Sequence, residues 1–127
     1  MDHSLPSSSR PDGMTAFIVN RPDGRDSGDD WTADYHSLPG RPGVSLILES
    51  TTEAGLGPRL HQHPYAETFI IRRGSATFTV GTEEIVGTAG QIIVVPAKTP
   101  HRFRTNEGGY EALHIHSSPE FITEWLE

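Results

Sequence analysis

Apolar and polar positions along the chain mostly follow a two-residue period, broken at short intervals by glycine and proline. Ala76–Val80 (ATFTV) alternates strictly, the pattern of a strand with one face on a core and one in water. β-Prone runs fall at roughly 59–63, 66–73, 76–80, 83–86, 91–95, 101–105 and 110–116. Short strands at this spacing predict an all-β sandwich or barrel, not a βαβ fold. Val44–Thr52 (VSLILESTT) adds a strong strand and Thr15–Asn20 (TAFIVN) a short early one. Gln91–Val95 (QIIVV) is almost continuously apolar, as expected of a strand packed on both faces. Gly74-Ser75 and Gly81-Thr82 each carry the Gly-X signature of a two-residue type II′ hairpin. EGGY at 107–110 reads as a further hairpin turn.

The flanks differ. Residues 1–14 are rich in Ser, Pro and Asp and are expected to be a flexible tail. Arg21–Tyr35 is mostly loop, and Leu38–Gly43 is a Pro/Gly turn. Ser117-Ser118-Pro119-Glu120 resembles a helix start, and Phe121, Ile122, Trp125 and Leu126 then fall on one helical face. A short helix over 118–126, plugging one end of a barrel, is expected. One domain over 15–127, with its core in 40–117, fits the chain length of 127 residues.

One polar pattern stands out from this background. His61, His63 and Glu67 share strand parity, and Phe69 and Ile71 continue the same face. Two imidazoles and a carboxylate on one face suit a divalent transition metal. A PAKTP turn precedes a strand whose face runs His101, Phe103, Thr105. If the two strands are neighbours, His101 sits beside the first group. On Tyr110–His116 the parity leaves two readings. Leu113 and Ile115 are the stronger apolar pair, yet His114 and His116 with Tyr110 and Ala112 form the other face. If they point inward, His116 and His114 line the cavity as substrate contacts or proton shuttles.

Composition narrows the function classes. There are no cysteines, which excludes disulfides, zinc ribbons and thiol nucleophiles. No run approaches the roughly 20 apolar residues of a membrane helix. The first residues, MDHSLPSSSRPDG, lack the apolar stretch of a secretory signal, so a cytoplasmic location is expected. A net charge of −7 argues against nucleic-acid or anionic-membrane binding. The charge is uneven: residues 57–104 carry six cations against three glutamates. A basic rim there, including Arg59, would favour an anionic substrate. No glycine-rich segment opens onto a helix as a phosphate loop, and no nucleophile-elbow serine occurs.

The two histidine-bearing stretches resemble the paired motifs of the cupin superfamily. Gly55, His61, His63, Glu67 and Gly74 match every fixed position of the first motif, G(X)5HXH(X)3–4E(X)6G. Gly90, Pro96 and His101 match the second, G(X)5PXG(X)2H(X)3N. Lys98 stands where the family has Gly, and Thr105 where it has Asn, with Asn106 one place late. These departures bear on turn geometry and a hydrogen bond, not on the ligand. The resemblance implies a single-domain jelly-roll barrel of six to eight strands. It also implies one metal ion held by His61, His63, Glu67 and His101, with Fe, Mn, Ni, Co, Cu or Zn all compatible with the donor set. Small cupins commonly pair through sheet edges or exchanged N-terminal strands, so a homodimer is expected.

The resulting expectation is a metal-dependent enzyme of oxygenase, isomerase or lyase type acting on a small organic molecule. Glu67, the lone anionic ligand, is the candidate base. Phe69, Phe103, His116, His114 and Arg59 are the candidate pocket residues. The alternative is a non-catalytic ligand-binding or sensor cupin. Tyr65 shares parity with His63 and Glu67, but Pro64 weakens that guide, and packing away from the metal is expected.

Overall fold

The computed structural model describes residues 8–9, 16–21 and 31–127. Its strands in chain order are β1 (Ser8–Ser9), β2 (Ile18–Val19), β3 (Ala33–Tyr35), β4 (Ser45–Thr51) and β5 (His61–Gln62). They continue as β6 (Glu67–Val80), β7 (Glu83–Thr88), β8 (Ile92–Val95), β9 (His101–His116) and β10 (Glu124–Trp125). Among the described residues there is no α-helix, and none long and apolar enough to cross a membrane. β1 pairs with β2, so Ser8–Ser9 is not free chain. The rest of the expected 1–14 tail lies outside the described residues.

The other eight strands form one sheet, in the order β10-β5-β9-β4-β3, with β6 joined to β9, β7 and β8. The long strands β6 and β9 make it curl. Each was expected as two short strands separated by a glycine turn, at Gly74-Ser75 and at EGGY. Instead each runs on through a bend, with register shifts between Ile71 and Arg73 and between Gly74 and Ala76. Gly74 has φ +69°, and a Cβ there would lie 2.0 Å from the Gly109 carbonyl oxygen. The glycines therefore let two backbones cross closely at a bulged corner rather than reversing the chain. Gly81-Thr82 does turn as expected: Val80 pairs with Glu83, and Gly81 has φ +59°.

Register decides which faces are buried. Phe69, Ile71, Phe78, Val95 and Phe103 point inward and form the core with Tyr110. β8 is not packed on both faces as expected. Val95 is buried, but Ile92 and Val94 are 63% and 58% exposed on the outer side, opposite Ile70 and Thr68. The expected C-terminal helix is also absent. Residues 121–126 are extended, and β10 pairs with β5 through Trp125 and His61. The competing bonds explain this. The Ile122 carbonyl accepts from the His63 ring, and the Leu126 N–H donates to the Leu60 carbonyl. A helix would divert those groups to its own ladder.

Candidate metal centre

Three neighbouring strands assemble the cluster. His61 opens β5, His63 lies just beyond it, Glu67 opens β6, and His101 opens β9. His61 pairs directly with His101 across the sheet. The PAKTP turn is docked on this group, because the Lys98 N–H donates to the His63 carbonyl at 2.7 Å. Lys98 has φ +60°, the left-handed conformation that glycine adopts freely. The backbone shape suited to Gly is therefore kept, with lysine accepting the strain. Thr105 bonds through its hydroxyl, accepting from the Leu56 N–H at 3.0 Å and donating to the Glu53 carbonyl at 2.7 Å. Asn106 instead bonds Thr77 and Ser75.

The ligand atoms of His61, His63, Glu67 and His101 all lie within 4.8 Å of one another, and all four residues are buried. This cluster could hold a metal ion. The hydrogen bonds fix how the three rings present themselves. Each Nδ1 faces a backbone carbonyl: His61 on Arg59 at 2.7 Å, His63 on Ile122 at 2.8 Å, His101 on Thr99 at 2.8 Å. A carbonyl only accepts, so each Nδ1 carries the proton and each Nε2 of a neutral ring is a bare lone pair. One Glu67 oxygen, Oε1, has the Nε2 atoms of His101 and His63 at 3.1 and 3.2 Å. Neutral rings with their protons on Nδ1 have none to donate across these contacts. His63 Nε2 is then left buried without a hydrogen-bond partner, facing an anionic oxygen. Converging lone pairs beside a carboxylate are relieved by a cation. The residues present thus fit a divalent ion.

Electrostatics follows the same geometry. Burial by itself raises the Glu67 carboxyl, but the close polar contacts of His101, His116 and His63 overcome it and hold the group far below the carboxylate range. Burial lowers His61 and drives His114 down to about 4, the Glu67 charge opposing it in both cases. Both histidines are held in the neutral form that coordinates metals or accepts hydrogen bonds.

The cluster forms the floor of a cavity of about 590 Å³. The structure resolves the two readings of the last strand: His114 and His116 point inward opposite Phe69 and Glu67. They line the cavity with Phe69 and Phe103. Arg59 does not line it. Its guanidinium lies 4.8 Å over the Trp125 ring and donates to the Glu127 carbonyl. Arg102 pairs with the Glu127 carboxylate, and Arg104 donates to the Pro58 carbonyl. Arg59 and Arg102 of the anticipated basic rim thus anchor the C-terminal segment. Among the described residues no Lys or Arg lines the cavity, whereas Asp34 and Glu49 do. Burial, and then the nearby Asp34, raises the Glu49 carboxyl. Sequence reasoning missed this acidic wall, because the stronger apolar parity of Val44–Thr52 is Val44, Leu46 and Leu48, whereas Ile47, Glu49 and Thr51 line the cavity. It also missed Phe121 and Trp125 at the cavity, having placed them on a helix. Tyr65, expected to pack away, is buried and bonded to His116; its parity with His63 and Glu67 was the available signal.

Comparison with known proteins decides the family. The Cupin domain family matches residues 48–116, more than half of the chain. The chain belongs to the cupin family. No curated protein sequence matches this cupin. Among solved structures, oxalate decarboxylase from Bacillus subtilis superposes with a TM-score of 0.64 at 22% identity. The match covers 73% of this cupin and 27% of that chain. Another structure of the enzyme concerns its Mn(II) centres. The oxalate decarboxylase formate complex from Lactobacillus farciminis gives 0.65 at 24%, covering 76% and 31%. A conserved protein of unknown function from Streptococcus pyogenes gives 0.58 at 26%, covering 74% and 80%. This cupin therefore spans about a quarter to a third of the decarboxylases, and its likeness to them is one of fold. The curled sheet is the all-β jelly-roll barrel expected from the motifs.

Proposed function

We propose that this cupin binds one divalent transition metal ion through His61, His63, Glu67 and His101 and transforms a small organic molecule beside it. The observation that carries the reading is the set of three carbonyl-anchored histidines whose Nε2 lone pairs converge on the Glu67 carboxylate. When bound, the ion supplies Lewis acidity or redox chemistry to an oxygenase, isomerase or lyase reaction. Manganese, named for a structural neighbour, is one candidate. The chain's own residues do the rest. Phe69 and Phe103 give the cavity apolar walls, and Glu67 is the one anionic ligand able to take a proton from a bound molecule. The cavity lining mixes polar and aromatic side chains beside the cluster, which favours an enzyme over a sealed binding module. Its charge favours a neutral or amine-bearing molecule over a dicarboxylate, since Asp34 and Glu49 have no cationic neighbour among the described lining residues.

Glu67→Gln tests the role of the carboxylate. Turnover falls while much of the metal stays bound; unchanged turnover refutes the role. A screen of small molecules against Mn(II)-loaded protein, read by product formation, tests catalysis itself. Binding without any product favours the non-catalytic module. The same reading includes a homodimer, supported by the exposed Ile92 and Val94 beside Ile70, Leu113 and Ile115 on the outer sheet face. Light scattering at monomer mass overturns that assembly.

A further inference from the structure

The cavity has a second polar feature, on strands away from the cluster. Asp34 comes from β3 and Glu49 from β4, and both line the cavity. Asp34 pairs with Ile47, two positions before Glu49, so the two carboxylates are diagonal neighbours on one sheet face. Like charges so placed repel. Among the described residues, neither carboxylate has a hydrogen bond or ion pair, and no Lys or Arg lines the cavity. Asp34 is exposed and Glu49 half-buried, so a molecule arriving from solution can reach both. A cation bound between them offsets the repulsion and keeps both carboxylates ionised.

The strand register places this pair relative to the cluster. Glu49 lies opposite Ala112 and Glu67 opposite His116, on the two strands that flank β9. Two strand spacings and four residues put the backbones of Glu49 and Glu67 roughly 16 Å apart before the sheet curls. Curling and the inward side chains shorten that gap. The row between them is Ile47, His114 and Phe69, apolar except for a His114 ring already bonded to Tyr110. The cluster end carries an independent sign of a ligand. His116 lines the cavity, is 4% exposed, and its Nε2 has no hydrogen-bond partner among the described residues. A buried polar atom in this state calls for a partner from outside the chain.

We propose that the molecule bound here has two ends: a cationic ammonium held between Asp34 and Glu49, an apolar middle against Ile47 and Phe69, and a polar end at the histidine cluster. The inference deepens the reading above and rests on it for the polar end. A cavity of about 590 Å³ has room for such a molecule. An inorganic cation suits the acid pair less well. Calcium takes about six to eight oxygen ligands, and the one group of residues able to hold a metal ion, among those described, includes neither Asp34 nor Glu49.

Calorimetric titration of Zn(II)-loaded protein tests it, with 6-aminohexanoate, hexanoate and adipate as probes. The three share a carboxylate and a six-carbon chain and differ at the far end. 6-Aminohexanoate is expected to bind about 10- to 100-fold more tightly than hexanoate, with adipate weakest. Glu49→Gln and Asp34→Asn are each expected to reduce that preference, and the double substitution to abolish it, at unchanged hexanoate affinity and Zn(II) stoichiometry. Because the pair is uncompensated without a ligand, Glu49→Gln is also expected to keep or raise the Tm of the ligand-free protein. A lost preference is then not a lost fold. No preference for the amine in the wild type, or one that survives the double substitution, overturns the proposal. So does a lower Tm for Glu49→Gln, which reveals a stabilising partner for that carboxylate. Displacement of the amine by an equal concentration of Ca(II) assigns the pair to an inorganic cation and overturns it as well. If the wild type takes up no Zn(II), the metal reading fails. The acid pair is then tested in the same protein by hexylamine against 1-hexanol, where equal affinity overturns the proposal.

Discussion

Acidification is expected to destabilise the metal-free protein through His114, by an amount the structure sets. The ring is 2% exposed, sits among Phe69 and Phe103, and is hydrogen-bonded to the Tyr110 hydroxyl. Burial holds its pKa at about 4, against 6.5 in the unfolded chain. Between these values the unfolded chain takes up a proton that the folded chain refuses. Stability is therefore full above 6.5 and is lost as pH falls toward 4. From pH 7.5 to 5.0 this one group lowers the unfolding free energy by about 2 kcal/mol. Urea unfolding of chelator-treated protein at the two pH values measures the total drop. The same pair of curves for His114→Gln, whose amide offers Tyr110 both a donor and an acceptor, isolates this group, because the other titrations are largely common to both proteins. The wild type is expected to lose about 2 kcal/mol more than the variant over this interval. An equal drop in both refutes the reasoning.

The remaining predictions concern the loops that frame the cluster. Lys98→Gly relieves a left-handed lysine and is expected to stabilise the protein by about 0.5–1 kcal/mol, read as a rise of a few degrees in Tm. A lower Tm contradicts the strain assigned to this turn. Truncation after Glu120 removes the Ile122 carbonyl that orients His63 and the N–H that anchors Tyr65. Mn(II) affinity is expected to fall by about 10- to 100-fold, while circular dichroism keeps the β signature. Unchanged affinity contradicts the role given to the C-terminal segment.

The ligand set was legible because it needs little more than parity. His61, His63 and Glu67 fall on one face of any extended chain, and the proline-bounded turn starts the next strand at His101. What the sequence could not show is where the chain bends. Gly74 and Gly109 look like turn glycines, and only the crossing of two backbones, 2.0 Å from a would-be Cβ, distinguishes a bulged corner from a hairpin. The C-terminal segment failed for a related reason. Phe121, Ile122, Trp125 and Leu126 fit a helical stripe, but Phe121, Thr123 and Trp125 also fit a strand that lines the cavity. The His63 ring and the Leu60 carbonyl, some sixty residues away, settle the choice. The same distance hid the Arg59–Trp125 stack and with it the fate of the basic rim. Tyr65 was hidden by Pro64, whose break in the strand does not in fact turn the ring from His116.

The central claim is that four side chains hold a metal, and elemental analysis tests it most directly. The protein is purified without chelator or metal-affinity resin, alongside His101→Ala. The account predicts close to one equivalent of transition metal per wild-type chain and a marked loss in the variant. Trace metal in the wild type, far below one equivalent even after incubation with Mn(II), Fe(II) or Zn(II), contradicts it.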